Sequence, residues 1–439
     1  MENIQSAVNN FLKKHGIYPS DIDLSALCDV FIDEMDKGLN GQESSLMMIP
    51  TYIRIEESIP VNEPVIVIDA GGTNLRTALV HFDNDKNCVI EHFSNYPMPG
   101  SRGEISKQIF FETVYQYIEP LLKFSDKIGF CFSYATEISP DKDGKVIGIA
   151  KEVRVTDLVG EYLGKNLLTI IQTHDPAAKK SIILLNDTVA TLIGGKTAYP
   201  NRVFDNYFAL ILGTGYNTCY SEKCENIGKL RPAADPIPND SMLINMESGI
   251  FSKAPSYDLF DAFDRTTVKP GDHLFEKAVS GAYQGVVFLA ILKQAAADGL
   301  FSPSACAKLA ALPALSSKEL DEFLYVPHGE NTLAQCCDGT TDDAQIIFYL
   351  IDAFMERIAM LITVNITAML KATGYGKNPC LPVCVAAEGT TFYKSKLIRG
   401  KLDYYAKAFT NEVHGLYFEY TKAENAVLAG TAIAALQNC

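Results

Sequence analysis

The sequence predicts an α/β protein of two lobes, each a mixed sheet flanked by helices, with a cleft between them. Three observations lead there. A chain of 439 residues is too long for one ordinary hydrophobic core. A strand–glycine turn–strand unit occurs twice, about one domain apart. Helix-period segments fill the intervals between them.

The first unit is the apolar strand Val65–Ile68, the turn Asp69-Ala70-Gly71-Gly72-Thr73-Asn74 and the return strand Leu75–Phe82. The second is the strand Tyr207–Leu212, the turn Gly213-Thr214-Gly215-Tyr216-Asn217 and the return Thr218–Ser221. Each reads as a β-hairpin whose turn is rich in Gly, Thr and Asn. The clearest helix is Asp342–Thr373, where Ile346, Ile347, Leu350, Ile351, Phe354, Ile358, Leu361 and Ile362 follow the 3.6 period. Its acidic first residues suit a helix start and Gly374 suits its end. Phe31–Leu39 and Ala426–Leu436 read as shorter helices, and Ser302–Ser317, mixing Pro, Ser and Ala, reads as irregular surface. The smaller lobe is expected to comprise 61–195, with the C-terminal helix 426–439 packed back on it. The larger is expected to take 1–60 and 196–425.

Composition narrows the function. A net charge of −15 repels phosphate backbones and anionic lipid, so neither nucleic acid nor a membrane surface is an expected partner. Phosphate recognition on a small molecule stays open, because it is local and uses backbone N–H groups. Met1–Asn10 is polar with no apolar run after it, and Val286–Leu292 and Ile358–Leu370 are too short or broken by Asn365 to span a bilayer. Eleven scattered cysteines, with no metal-ligand spacing, are expected to be reduced and packed as small apolar residues in a cytoplasmic protein.

Both glycine turns suit a phosphate chain, since glycine lets successive N–H groups converge on a ligand. Taken singly, such a turn is an ordinary hairpin; two of them can clamp one polyphosphate between lobes. Asp187 follows the strand Ile182–Leu185 and precedes a helical start at Val189. It reads as a helix N-cap and as a carboxylate facing a cleft, and the two readings are compatible. Gly195-Lys196-Thr197 ends like a P-loop, but Ala190 stands where the earlier glycine is required.

Taken together, IDAGGTNLR (Ile68–Arg76), FSY (Phe132–Tyr134), NDTVATL (Asn186–Leu192), LILGTGYNTCY (Leu210–Tyr220), INMESG (Ile244–Gly249) and FEKAVSGAYQG (Phe275–Gly285) resemble the hexokinases and glucokinases of the actin-like ATPase superfamily. The stretch from Phe31 to Ile53 resembles the family's lead-in to the first hairpin. From Glu388-Gly389-Thr390-Thr391-Phe392 onward the likeness is weaker. The resemblance implies a ribonuclease H-like fold in each lobe and one catalytic unit that transfers the γ-phosphoryl group of ATP to the 6-hydroxyl of a hexose, glucose first. It implies Asp187 as the base, with Lys151 beside it as a catalytic residue. Ser133, Lys151, Asn186, Asp187, Asn217, Glu247 and Glu276 would surround the sugar. Asp69, Gly71, Gly72, Thr73, Asn74, Arg76, Gly213, Thr214, Gly389 and Thr390 would hold ATP, and Asp69 would hold Mg2+ through water.

Three departures from the family pattern bear on the sugar. Ile149-Ala150-Lys151-Glu152-Val153 stands for Trp-Thr-Lys-Gly-Phe, removing a hydroxyl worth on the order of 1 kcal/mol in one hydrogen bond. Ser248 replaces a Trp, and Glu388 an Asp. Fructose, mannose or an N-acetylhexosamine is the alternative acceptor, and a non-catalytic sugar sensor on the same scaffold the alternative role. Oligomeric state is not legible.

Overall fold

The computed structural model describes residues 4–54, 58–149, 153–199, 202–230, 241–337, 339 and 341–439. Ala150, Lys151 and Glu152 lie outside them. The strands are β1 (Ile49–Pro50), β2 (Val65–Ala70), β3 (Asn74–Phe82), β4 (Cys88–Pro97), β5 (Ile105–Ser106), β6 (Lys127–Phe132), β7 (Thr136–Ile138), β8 (Gly144–Val146), β9 (Val155–Thr156), β10 (Ser181–Leu185), β11 (Tyr207–Leu212), β12 (Tyr216–Lys223), β13 (Ser241–Asn245), β14 (Val383–Glu388) and β15 (Phe418–Thr421).

Five of these form one sheet in the order β10-β6-β2-β3-β4, and six another in the order β1-β13-β12-β11-β14-β15. Both predicted hairpins are present, as antiparallel β2–β3 and β11–β12. Around them the sheets are mixed: β2, β6 and β10 run parallel, as do β11, β14 and β15. Parallel strands align their carboxyl ends, which brings the segments after Ala70, Phe132 and Leu185 to one edge. The segments after Leu212 and Glu388 meet at the edge of the second sheet. Such edges are where open α/β sheets bind ligands.

The helices before the second hairpin are α1 (Ile4–Lys14), α2 (Leu24–Leu39), α3 (Lys107–Ile118), α4 (Leu163–His174) and α5 (Asp187–Gly195). After it come α6 (Asp258–Asp264), α7 (Leu274–Val279), α8 (Gly281–Ala297), α9 (Pro303–Ala311), α10 (Ser317–Tyr325), α11 (Thr332–Cys336), α12 (Thr341–Thr373), α13 (Thr390–Lys394), α14 (Ile398–Tyr405) and α15 (Ala426–Asn438). The period of two along each strand sorts the core into layers. Ile66, Ile68 and Ala70 face a cluster shared with α3 and α4. Val65 and Val67 face the opposite cluster, which holds α5, α15 and Ala209, Cys219 and Leu243 from the second sheet. Phe208, Leu210 and Leu212 face the third and largest cluster, built with α2, α8 and α12. The helix pair α5–α15 is therefore a layer between the two sheets.

Small residues make that layer thin. A Cβ on Gly430 would fall on the Ala190 carbonyl oxygen, and one on Gly194 on that of Ala426, so the two helix backbones touch. The long helix α12 starts one residue before its predicted bound, and Gly374 ends it at φ 75°. Helix α2 begins seven residues before the predicted Phe31, because Asp23 caps it by accepting from the Ser25 and Ala26 N–H groups. Ser302–Ser317 is irregular only over 312–316. Ser302 caps α9 with Pro303 at its first position, and Ser316 with Glu319 forms a capping box on α10. The Pro and Ser that suggested a loop are helix-start residues. All eleven cysteines are free thiols, as expected, and among the described residues no helix is long and apolar enough to cross a membrane.

Gly430→Ala should lower stability by about 2 kcal/mol, because backbone rather than a movable side chain blocks the new methyl. Gly103→Ala, where nothing lies within 4 Å of the added carbon, should stay within about 0.5 kcal/mol of wild type. Urea unfolding midpoints of the two variants check this.

Candidate active site

The alternation that points Val65 and Val67 at the α5–α15 layer carries on to Asp69, which is 5% exposed and lies in register with Cys131 on β6. Arg76, its antiparallel partner on β3, donates to Asp69 Oδ2 at 3.0 Å. Burial pushes the Asp69 carboxyl up and Arg76 partly restores it. Beyond it the turn reverses tightly, with the Gly71 N–H donating to Asn74 O at 3.0 Å and Asn74 Nδ2 to Thr73 Oγ1 at 3.0 Å. The Gly72 and Thr73 N–H groups donate to nothing among the described residues, and space beyond Gly72 is open.

The second turn has the same character. Gly213 N–H donates to Gly215 O, while the Thr214 and Gly215 N–H groups have no acceptor among the described residues. It is fastened from behind: Gly281 N–H and Thr391 Oγ1 both donate to Gly213 O, at 2.8 and 3.0 Å. Gly389, at φ 119°, lies against Leu212 and Gly213, where any side chain would collide with the Leu212 carbonyl oxygen. Only glycine fits that crossing. Thr390, next to it, opens α13. Four unspent N–H groups on two turns suit a polyphosphate. No group of three or more metal-ligating side chains occurs among the described residues.

Asp187 sits at the first position of α5. The cap is not Asp187 but Asn186, whose side chain accepts from the Thr188 N–H at 2.8 Å. The helix starts there and not at Val189. With its neighbour doing the capping, the Asp187 carboxylate is left for other partners. Ser133, at the end of β6, donates to it. Its pKa is pushed up to about 7, chiefly by burial, then by the negative charges of Asp69 and Glu247, with the Ser133 and Thr188 hydrogen bonds opposing. Asp69 comes from one sheet and Glu247 follows β13 of the other, so carboxylates from both sheets converge on Asp187.

Glu247 and Glu276 are each held by one oxygen. Glu247, at φ 52°, accepts from Asn245 Nδ2 at 2.7 Å, and Glu276 Oε2 on α7 accepts from the Tyr216 N–H at 3.0 Å. A Cβ on Gly215 would lie 2.7 Å from Glu276 Oε2, which explains glycine there. Burial raises both carboxyls, and His273 faces both and lowers them. Asn217 is less available than expected. Its Oδ1 accepts from the Thr218 and Ser248 N–H groups, and its Nδ2 donates to Asn245 Oδ1 at 2.8 Å, leaving one amide hydrogen.

Asn245 is the residue sequence reasoning missed. It joins Asn217 to Glu247, and its signal was its place in the quoted segment INMESG. Ser248 is fully buried and turned into the large core, where its hydroxyl accepts from Thr218 Oγ1 at 2.9 Å. The buried Lys277, beside Glu276, donates to Asp264 at 2.5 Å and to Lys269 O at 2.8 Å, which locks the approach to α7. Lys151 lies outside the described residues.

A carboxyl whose folded pKa is raised ionises first in the unfolded chain, so Asp187 makes folding less favourable as pH rises from about 4 to about 7. Asp187→Asn removes that penalty. Its thermal midpoint should gain on wild type progressively across that window and by a constant margin above it, measured by calorimetry at stepped pH.

Two hexokinase family models match the chain, one over residues 7–197 and one over 207–437. Human Hexokinase-3 is 27% identical over 378 residues, covering 82% of this chain and 39% of that protein. Glucokinase-1 of Kluyveromyces lactis is 28% identical over 391 residues, 80% of this chain and 81% of the yeast one. The chain thus spans about two-fifths of the mammalian relative and most of the fungal one. In structure it resembles a hexokinase from Schistosoma mansoni complexed with glucose, at a TM-score of 0.73 over 99% of both chains with 21% identity. That likeness establishes the fold. With one family model spanning the second hairpin to the C-terminal helix, and its companion the first hairpin and Asp187, the chain belongs to the hexokinase family.

Proposed function

We propose that the chain is an ATP-dependent hexokinase, transferring the γ-phosphoryl group of ATP to the 6-hydroxyl of glucose or a similar hexose. The convergence on Asp187 of carboxylates from both sheets, beside two turns with unspent N–H groups, carries the reading. The lobes would divide as 61–195 with 426–439 against 1–60 with 196–425, and the reaction would run in the cytoplasm, which free thiols favour.

In this reading the hexose lies among Glu247, Glu276, Asn217, Asn186, Ser133 and Lys151. Glu247 and Glu276 each keep one oxygen for sugar hydroxyls because the other is held by protein. Phosphates would rest on the Gly72, Thr73, Thr214 and Gly215 N–H groups, with Asn74 and Arg76 beside the first turn and Gly389 and Thr390 on the adenosine side. Asp69 would hold magnesium through water, and the ion would supply charge neutralisation to the phosphates. The Asp187 carboxylate accepts the proton of the 6-hydroxyl as its oxygen attacks phosphorus in line and the bond to ADP breaks. A base with pKa near 7 suits that step at neutral pH, and such help is worth about 10²–10⁴ in rate. Closure of the lobes on the sugar would exclude water, which would otherwise take the phosphoryl group.

Asp187→Ala should cut ADP release in a coupled assay with glucose by about 10²–10⁴; turnover within tenfold of wild type would remove the base. For wild type, kcat/KM should fall about tenfold per pH unit below about 7.

A different acceptor has one observation behind it: position 248, where the family pattern has Trp, is a fully buried Ser whose hydroxyl accepts from Thr218 Oγ1. A panel of glucose, mannose, fructose, N-acetylglucosamine and 6-deoxyglucose separates the cases. Glucose is expected to lead and 6-deoxyglucose to give no sugar-dependent ADP; equal ADP from 6-deoxyglucose would exclude transfer to the 6-hydroxyl.

A further inference from the structure

Arg357, on α12, is 5% exposed. A guanidinium has five N–H donors. Among the described residues one of them is used, from Nη2 to the Pro255 carbonyl oxygen, and the face lies 5.0 Å from the centre of the Tyr257 ring. No carboxylate among the described residues forms an ion pair with it; Asp21 acts only from longer range, and burial pulls the arginine's pKa down. A buried cation without a counter-charge is costly to maintain.

That guanidinium lines a cavity of about 80 Å³. The rest of the lining is mostly apolar: Phe354, Ile358 and Leu361 from α12, Phe260 from α6, and Leu274 and Ala278 from α7. Asp261, the carboxylate on the wall, is engaged by the Ser256 hydroxyl. The space exceeds the roughly 30 Å³ share of one water. A mostly apolar chamber with a planar, forked cation on its wall matches an anion that is itself forked and planar, with a hydrocarbon tail. We infer that this cavity binds a short aliphatic monocarboxylate, its carboxylate on Arg357 and its tail between α7 and α12. Carboxylate fits the guanidinium fork in a bidentate pair, whereas phosphate would leave its remaining oxygens against Phe and Leu side chains.

The site adjoins the sugar site. Leu274 and Ala278 flank Glu276 on α7, and the segment 251–257 directly follows Glu247 to Ile250. On the hexokinase reading, occupancy should shift the KM for hexose at least twofold. Binding itself is read without turnover, so its failure and that of the kinase reading remain separate.

Titration calorimetry of the full chain with sodium butyrate should show saturable binding in the millimolar range, with butyramide and inorganic phosphate at least tenfold weaker. Arg357→Gln should weaken butyrate at least tenfold. Since that variant risks misfolding, wild type is also treated with phenylglyoxal, and butyrate should slow modification of the Arg357 peptide several-fold. Butyramide binding as well as butyrate, phosphate binding better, or an Arg357 that butyrate fails to protect would each overturn the proposal.

Discussion

Two sheets separated by a single layer of two helices leave little freedom to what lies between them. In this chain α5 and α15 meet through Gly194 and Gly430 with backbone against backbone, and both sheets press on the pair. The first residue of α5 is thereby pinned between the carboxyl edges of the sheets, and that residue is Asp187. Its surroundings follow from the period of two along β2, β12 and β13, which aims Asp69, Asn217 and Asn245 at the same layer. Remove the thin helix pair and the two edges no longer share a site.

Carboxylates gathered this closely oppose folding. Asp69, Asp187, Glu247 and Glu276 all have raised pKa values, and burial is the first cause in each. The protein offsets this with one donor for each: the Arg76 cation for Asp69, and neutral groups for the other three, Ser133 for Asp187, Asn245 for Glu247 and the Tyr216 N–H for Glu276. Neutral donors orient a carboxylate without fully quenching its basicity. A lysine in each place would have made a more stable fold and a poorer base.

Both hairpins and the long helix were legible in the sequence, because glycine turns and hydrophobic periods are local signals; Ser133, Asn217, Glu247 and Glu276 were named only through the resemblance to the hexokinases. Asn186 as the cap in place of Asp187 was not legible, since Asn and Asp cap equally well and only the fold decides which one faces the cleft. Ser302–Ser317 was misread because Ser and Pro mark helix starts as readily as loops, and the partner that anchors Ser302 is Asp343, forty-one residues away. Asn245 acts through contacts with Asn217 on the neighbouring strand, a register no spacing reveals. The buried Arg357 likewise looks in sequence like an ordinary polar position on a long helix.

The middle layer also sets an order of events during synthesis. The five strands of the first sheet have all been made by Leu185, yet the helix that closes their inner face, α15, begins only at Ala426. Until then Val65, Val67, Val80 and Ile183 lack half of the helix pair that covers them on that side. On the ribosome this half of the molecule must wait, greasy face exposed, for a segment translated long afterwards, and it is there that chaperones would find a client.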